Sequence, residues 1–403
     1  MKRLKLITML LAFLLAAMAM VPMVSATGIS DTDAKNSVVV QDIKLPALQF
    51  DYSKTPTIMS DEFLIPATNN QATTSVIHQN EGKYLVPNGA IIHHSKDGIT
   101  RIFDKTGKQI FKVNDKDSEI INTPKGPFPA SHVYEVPSGA LITGKPETTF
   151  VIYDNQVLCI IITEGSALGI VKNEQSLTDS ALSGSVVPLT APFTGWVEYA
   201  YDRTTTSLPL TRFDGYWNVP SAPVSRPGTG PSARTIFLFN SIENYPSYSV
   251  IIQPVLEWNN IDTGYYWDIA SWALSGSNSF HSSRITVSTG HTIRGQMQWS
   301  SSSQAWYVTT YDTTTGSSTS LTTTWMPSPS STSLEESMAL EGKNLYNDND
   351  APGDTLFNNM VYQSNGQTVP IVLKRYVSPS APLTQLNVEI LTNPSLVRLN
   401  TAN

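Results

Sequence analysis

Between residues 249 and 258 the chain reads SVIIQPVLEW. Alternate side chains of an extended strand face opposite ways. Val250, Ile252, Pro254, Leu256 and Trp258 therefore form one apolar face, and Ile251, Gln253, Val255 and Glu257 share the other. The first face is core; the second places an amide and a carboxyl side by side in an otherwise apolar strand. Short segments of the same kind recur through the second half of the chain, among them YWNVP, ARTIFLFN, YYWDIASWAL, SRITVSTGHTIRGQMQW, AWYVTTYDTTTG, VPIVLKRYV and LNVEIL. Turns rich in Gly, Pro, Ser and Asn separate them. That rhythm predicts an all-β fold, an antiparallel β-sandwich of the jelly-roll or concanavalin-like kind. The Thr-rich stretch YDTTTGSSTSLTTTW reads as a hairpin about its Gly, because β-branched Thr alternates there with other strand-forming residues.

The first half carries a smaller β pattern with an internal repeat. Val86-Pro87-Asn88-Gly89-Ala90-Ile91-Ile92 returns as Val136-Pro137-Ser138-Gly139-Ala140-Leu141-Ile142, and Ile102-Phe103-Asp104 returns as Ile152-Tyr153-Asp154. Each copy is a Pro-Gly turn, a strand, a polar turn and a second strand, with Lys105–Lys108 as a hairpin turn. Two copies are too few for a solenoid or propeller. Nothing in this half forms a catalytic constellation.

Composition and the N-terminus place the domains. Lys2, Arg3 and Lys5 precede a long apolar run that ends in Val24-Ser25-Ala26, which predicts a cleaved secretion signal over residues 1–26, with an uncleaved membrane anchor as the alternative. No later stretch is apolar enough to span a bilayer, so no membrane association beyond that segment is expected. Lysines are frequent up to Thr190, and after it only Lys343 and Lys374 remain. With the small, proline-bearing SGSVVPLTAP at 183–192, this predicts a β-rich prosegment or accessory domain over 27–190 and a sandwich domain over 191–403. The expected location is secreted or extracellular, including association with the cell surface.

The single cysteine, Cys159, excludes an intrachain disulfide, and its place in VLCIIIT marks it as a core thiol rather than a nucleophile. A net charge of −7 argues against nucleic acid as a partner. The six histidines show no metal-ligand spacing beyond the adjacent pair His93-His94, and no phosphate loop, G-x-S-x-G or H-E-x-x-H is present. The acidic loop NDNDAPGD at 347–354 offers Asp348, Asp350 and Asp354 to calcium. It departs from the EF-hand pattern at Pro352 and Asn359, and a solvated turn is the preferred reading. No cofactor and no metal is expected.

What remains is the chemistry of carboxylates and amides. A carboxylate can activate water while an amide NH2 stabilises the charge growing on an attacked carbonyl. In that light the second half resembles the glutamic peptidases, the secreted, acid-acting eqolisin type, and more loosely the neprosin-like proteins. The resemblance rests on ordered segments: Trp217-Asn218-Val219-Pro220-Ser221, Phe239-Asn240-Ser241-Ile242-Glu243, Val250-Ile251-Ile252-Gln253, Ile285-Thr286-Val287-Ser288-Thr289-Gly290 and Glu336-Ser337-Met338-Ala339-Leu340-Glu341. It implies an acid-acting endopeptidase with a polypeptide substrate. Gln253 would polarise the scissile carbonyl and Glu341 would act as base and then acid, with Glu335 and Glu336 as alternatives to Glu341. Glu243, Glu257, Trp258, Trp267 and Trp272 would support the site or line it. The first half would act as a propeptide that occludes the cleft until it is cut.

Rival readings are a lectin-like sandwich that stacks sugars on Trp258, Tyr265, Tyr266, Trp267, Trp272, Trp299 and Trp306, a cell-surface structural protein without catalysis, and a glycosidase built on Glu257 with Glu341.

Overall fold

A computed structural model describes residues 75–164 and 192–401, apart from 79–81, 87, 97, 115–119, 226–227, 229–232 and 260–264. The expected secretion signal and almost all of SGSVVPLTAP lie outside the described residues. The described chain is nearly all β, as the alternation predicts, and its strands form two large sheets and one separate hairpin.

The first sheet runs, edge to edge, through Gly82–Leu85, Ser75–His78, Val133–Val136, Ser279–Ser282, Trp267–Ser275, Val250–Trp258, Thr235–Tyr245, Ser333–Leu345, Phe193–Thr204 and Lys374–Val377. The second holds Thr355–Ser364, Arg212–Asn218, Thr292–Ser300, Ala305–Asp312 and Ser317–Thr323, and continues through Ala140–Lys145, Thr148–Tyr153, Gln156–Thr163, Ala90–His94 and Ile99–Phe103. The YDTTTG hairpin forms as expected, with Asp312 opposite Ser317. The repeated units of the first half also appear as hairpins, Ala90–His94 with Ile99–Phe103 and Ala140–Lys145 with Thr148–Tyr153. They share one sheet because Gln156–Thr163 pairs in parallel with Ala90–His94.

The two halves of the chain share both sheets. Val133–Val136 lies parallel to Ser279–Ser282, and Ala140–Lys145 lies parallel to Ser317–Thr323. The main core lies between the sheets: Val250, Ile252, Leu256, Leu238, Met338 and Leu340 of one meet Phe213, Trp217, Met297, Trp306 and Val308 of the other. Gly295 marks a close approach of the two layers. A Cβ there would stand 2.1 Å from Asn240 Oδ1 and 2.8 Å from Pro254 Cβ, so only glycine lets the layers meet. Cys159 is fully buried, as its sequence context predicts.

The middle of the first sheet is buried on both faces: every residue of Val250–Trp258 and of Trp267–Ser275 is enclosed. Strands covered on both sides are normally apolar throughout. The polar residues on the second face therefore call for a specific cover.

Candidate active site

That cover is a hairpin from the first half, Ile120–Thr123 paired with Gly126–Pro129, followed by the short 3-10 turn Ala130–His132. Ile121, Phe128 and Ala130 pack on Phe237, Phe239, Val255, Ala270, Trp272 and Ala339, a second apolar cluster on the face turned away from the main core. The hairpin tip is Pro124-Lys125, a two-residue connection that Gly126 allows through its φ of +120°. Thr123 Oγ1 locks the tip by donating to the Gly126 carbonyl at 2.7 Å. Two polar contacts fix the tip to the sheet. Gln253 Nε2 donates to the Pro124 carbonyl at 3.3 Å, and Lys125 Nζ donates to the Tyr248 carbonyl at 2.6 Å.

Strand register determines which side chains surround Gln253. Gln253 stands opposite Trp272 on one side. On the other, the pairs Phe239–Val255 and Ile242–Ile252 bring it level with Ser241, which is in turn opposite Ser337. The two serine hydroxyls are hydrogen-bonded at 2.6 Å. Glu243 is the diagonal neighbour of Gln253, about 7–8 Å away between Cα atoms and within reach of two long side chains. Directly opposite Glu243 is Glu335. Glu335 accepts from Arg203 Nε at 2.7 Å and from the Tyr248 hydroxyl at 2.8 Å, so its charge has a dedicated counter-ion. Glu243 has the Lys125 ammonium nearby. Burial pushes its carboxyl up to about 7, the Lys125 charge pulls it back, and repulsion from Glu335 and Glu341 adds to the rise.

The structure rearranges the dyad expected from the sequence. Glu341 is opposite Phe237, and Phe237 is opposite Glu257, four residues along the strand from Gln253. Strand geometry then puts Gln253 and Glu341 roughly 16 Å apart between Cα atoms, too far for both to touch one carbonyl. Glu341 Oε1 instead lies 2.6 Å from Lys343 Nζ, both groups being buried. Burial pushes the Glu341 carboxyl up, against the pull of that ammonium. Of the alternatives, Glu336 points into the main core toward Thr204 and Tyr362, and its carboxyl is pushed well up by burial. Glu335 shares the face of Gln253.

Glu257 lies on the same face further along. It accepts from Trp272 Nε1 and from Arg284 Nε, the latter at 3.1 Å, and faces Asp268, whose carboxyl is raised by burial and by the Glu257 charge. Trp272 thus belongs to the floor of the covered face. Trp258 and Trp267 do not: they are opposite each other on the other face and buried in the main core, so they cannot line the site. Trp306 is also fully buried, which leaves Tyr265 and Tyr266 as the exposed members of the sugar-stacking set. The carboxylates of the acidic loop diverge. Asp350 binds Ser225 and Arg234, Asp348 caps Thr384 and Asp354 caps Thr401, and among the described residues no group of three or more His, Cys, Asp or Glu could hold a metal.

Lys125, Arg203 and Tyr248 had no place in the sequence reading. The one local signal for the first was the turn dipeptide between two short strand-forming runs in IINTPKGPFP.

No family model matches the chain, and no curated protein matches it. Among solved structures it is similar to SCP-B, a member of the eqolisin family of peptidases in complex with the tripeptide Ala-Ile-His, at 17% identity, covering 52% of this chain and 100% of that one, with a TM-score of 0.35. It is also similar to the enzymatically active domain of bacteriophage CBA120 tailspike protein 2, at 12% identity, 42% and 24% coverage and a TM-score of 0.24.

Proposed function

We propose that the protein is a secreted, acid-acting endopeptidase of glutamic type whose first half covers its own cleft. The observation that carries this reading is the hydrogen bond from the Gln253 amide to the Pro124 carbonyl. A polypeptide carbonyl already occupies the position where an amide donor would stabilise the oxyanion of peptide hydrolysis. The expected Glu341 gives way to the carboxyl pair beside Gln253. Glu335, its charge balanced by Arg203, takes a proton from water as the water oxygen attacks the carbonyl carbon. Glu243, protonated below about 7, gives its proton to the leaving amine as the C–N bond breaks. The sign is set by Glu243: the acid form that serves the leaving group is present below about 7 and lost above it, so cleavage falls as pH rises through that value.

The test is digestion of denatured casein and a mixed peptide library from pH 2 to 7, read by mass spectrometry together with the N-terminus of the protein itself. Cleavage falls by about 10²–10³ in Gln253→Ala and about 10²–10⁴ in Glu243→Gln. Glu341→Gln keeps its rate per folded molecule. Glu243→Gln cutting at the parental rate would remove Glu243 from the mechanism, and no cleavage by a folded, processed chain would remove the peptidase.

A further inference from the structure

The tip of the covering hairpin does more than fill space. Pro124 presents its carbonyl to Gln253, and the next residue, Lys125, sends its ammonium to the Tyr248 carbonyl at 2.6 Å. Tyr248 lies in the turn between Thr235–Tyr245 and Val250–Trp258 with a φ of +48°, an uncommon conformation for a bulky residue. Side-chain contacts hold it there: its hydroxyl donates to Glu335 and accepts from Arg203 Nη2 at 3.1 Å, and Asn244 braces the same turn through Ser247, Ser249 and the Val250 amide. Glu243 and Glu335 face each other, and Arg203 is bonded to Glu335 and answers its charge. The Lys125 ammonium enters beside this pair and is held by the Tyr248 carbonyl.

We propose that the Tyr248 carbonyl forms an ammonium subsite for the residue that immediately follows the carbonyl held by Gln253. On the peptidase reading, on which this rests, the preferred substrates carry lysine, or a similar long primary amine, directly after the scissile bond. The hairpin is then an internal occupant of that subsite. A charge-assisted hydrogen bond of this kind separates Lys from an apolar residue of equal length by roughly tenfold to a hundredfold.

Two measurements test it. In the peptide library, residues on the C-terminal side of each cleaved bond are tallied; lysine enriched about tenfold or more over methionine there is the expected result. Cleavage without that enrichment overturns the subsite and leaves the peptidase standing. The second measurement needs no activity. In the full chain, Lys125→Ala empties the position while keeping the hairpin, and the melting temperature is followed with n-butylammonium and with n-butanol. The expected result is that the amine raises the melting temperature of Lys125→Ala and leaves the parent unmoved, while the alcohol raises neither. Equal responses to amine and alcohol, or none, overturn the subsite. If no peptide is cut at any pH, the peptidase reading fails and the amine experiment alone decides the subsite.

Discussion

Glu198 gives the sharpest test of the physical reasoning, because its effect can be isolated from every other group. It lies in the Phe193–Thr204 strand and is fully buried. Among the described residues neither carboxyl oxygen meets a hydrogen-bond donor at good geometry. Burial pushes its pKa from 4.5 to about 8, the Asn387 backbone N–H opposes the rise and the Asp354 charge adds to it. The folded protein therefore holds a proton that the unfolded chain releases near 4.5. The contribution to stability is fully present below 4.5 and is lost as pH rises through 8. A shift from 4.5 to about 8 corresponds to about 5 kcal/mol at most. Glu198→Gln has the shape of the protonated side chain and no charge to lose. Urea unfolding of parent and variant at pH 4.5 and 8 reads the effect as a double difference, which cancels the other buried carboxyls. The two chains should agree at pH 4.5 to within about 1–2 kcal/mol, the worth of the exchanged hydrogen-bonding group. At pH 8 the variant should be the more stable by several kcal/mol. Equal loss of stability in both chains between the two pH values would refute the argument that Glu198 is buried as a neutral acid.

Two further expectations concern packing and charge. Gly295→Ala drives a methyl group into Asn240 and Pro254, and overpacking of this kind costs about 1–3 kcal/mol in chemical denaturation, with no change in m-value if the two-state fold is kept. Lys343→Met leaves the buried Glu341 without its ammonium at 2.6 Å and costs about 3–5 kcal/mol at pH 7, and the double variant Lys343→Met/Glu341→Leu recovers most of that loss. A Lys343→Met chain as stable as the parent would show that the pair is not needed to hold the fold.

Strands and faces were legible in the sequence because they depend on local alternation. Gln253 and Glu257 emerge on one face of Val250–Trp258, and Trp258 on the other, as period two requires. Trp258 and Trp267 were both misplaced as site residues: alternation alone puts Trp258 on the core face, and Trp267 follows it there because the two are paired across neighbouring strands, a long-range property. The same limit hid the relation between Gln253 and the carboxylates. A glutamate along Ser333–Leu345 shares the face of Gln253 only with the right parity and stands beside it only in the right register. Parity removes Glu336 and register removes Glu341, and neither can be read from spacing within one strand. The hairpin over Gln253 was the least legible part. IINTPKGPFP is short and proline-rich, and its importance comes from what lies beneath it.

The parallel seams between the two halves bear on what happens if the first half is cut away. Ser279–Ser282 and Ser317–Thr323 would lose their neighbours Val133–Val136 and Ala140–Lys145, each baring one row of peptide N–H and C=O groups. Such raw borders recruit strands from other molecules. The sequences there are SFHS and SSTSLTT, hydroxyl-rich and short of apolar side chains. A processed molecule would therefore meet solvent along borders poor in the sticky residues that turn an open sheet into a seed for aggregation.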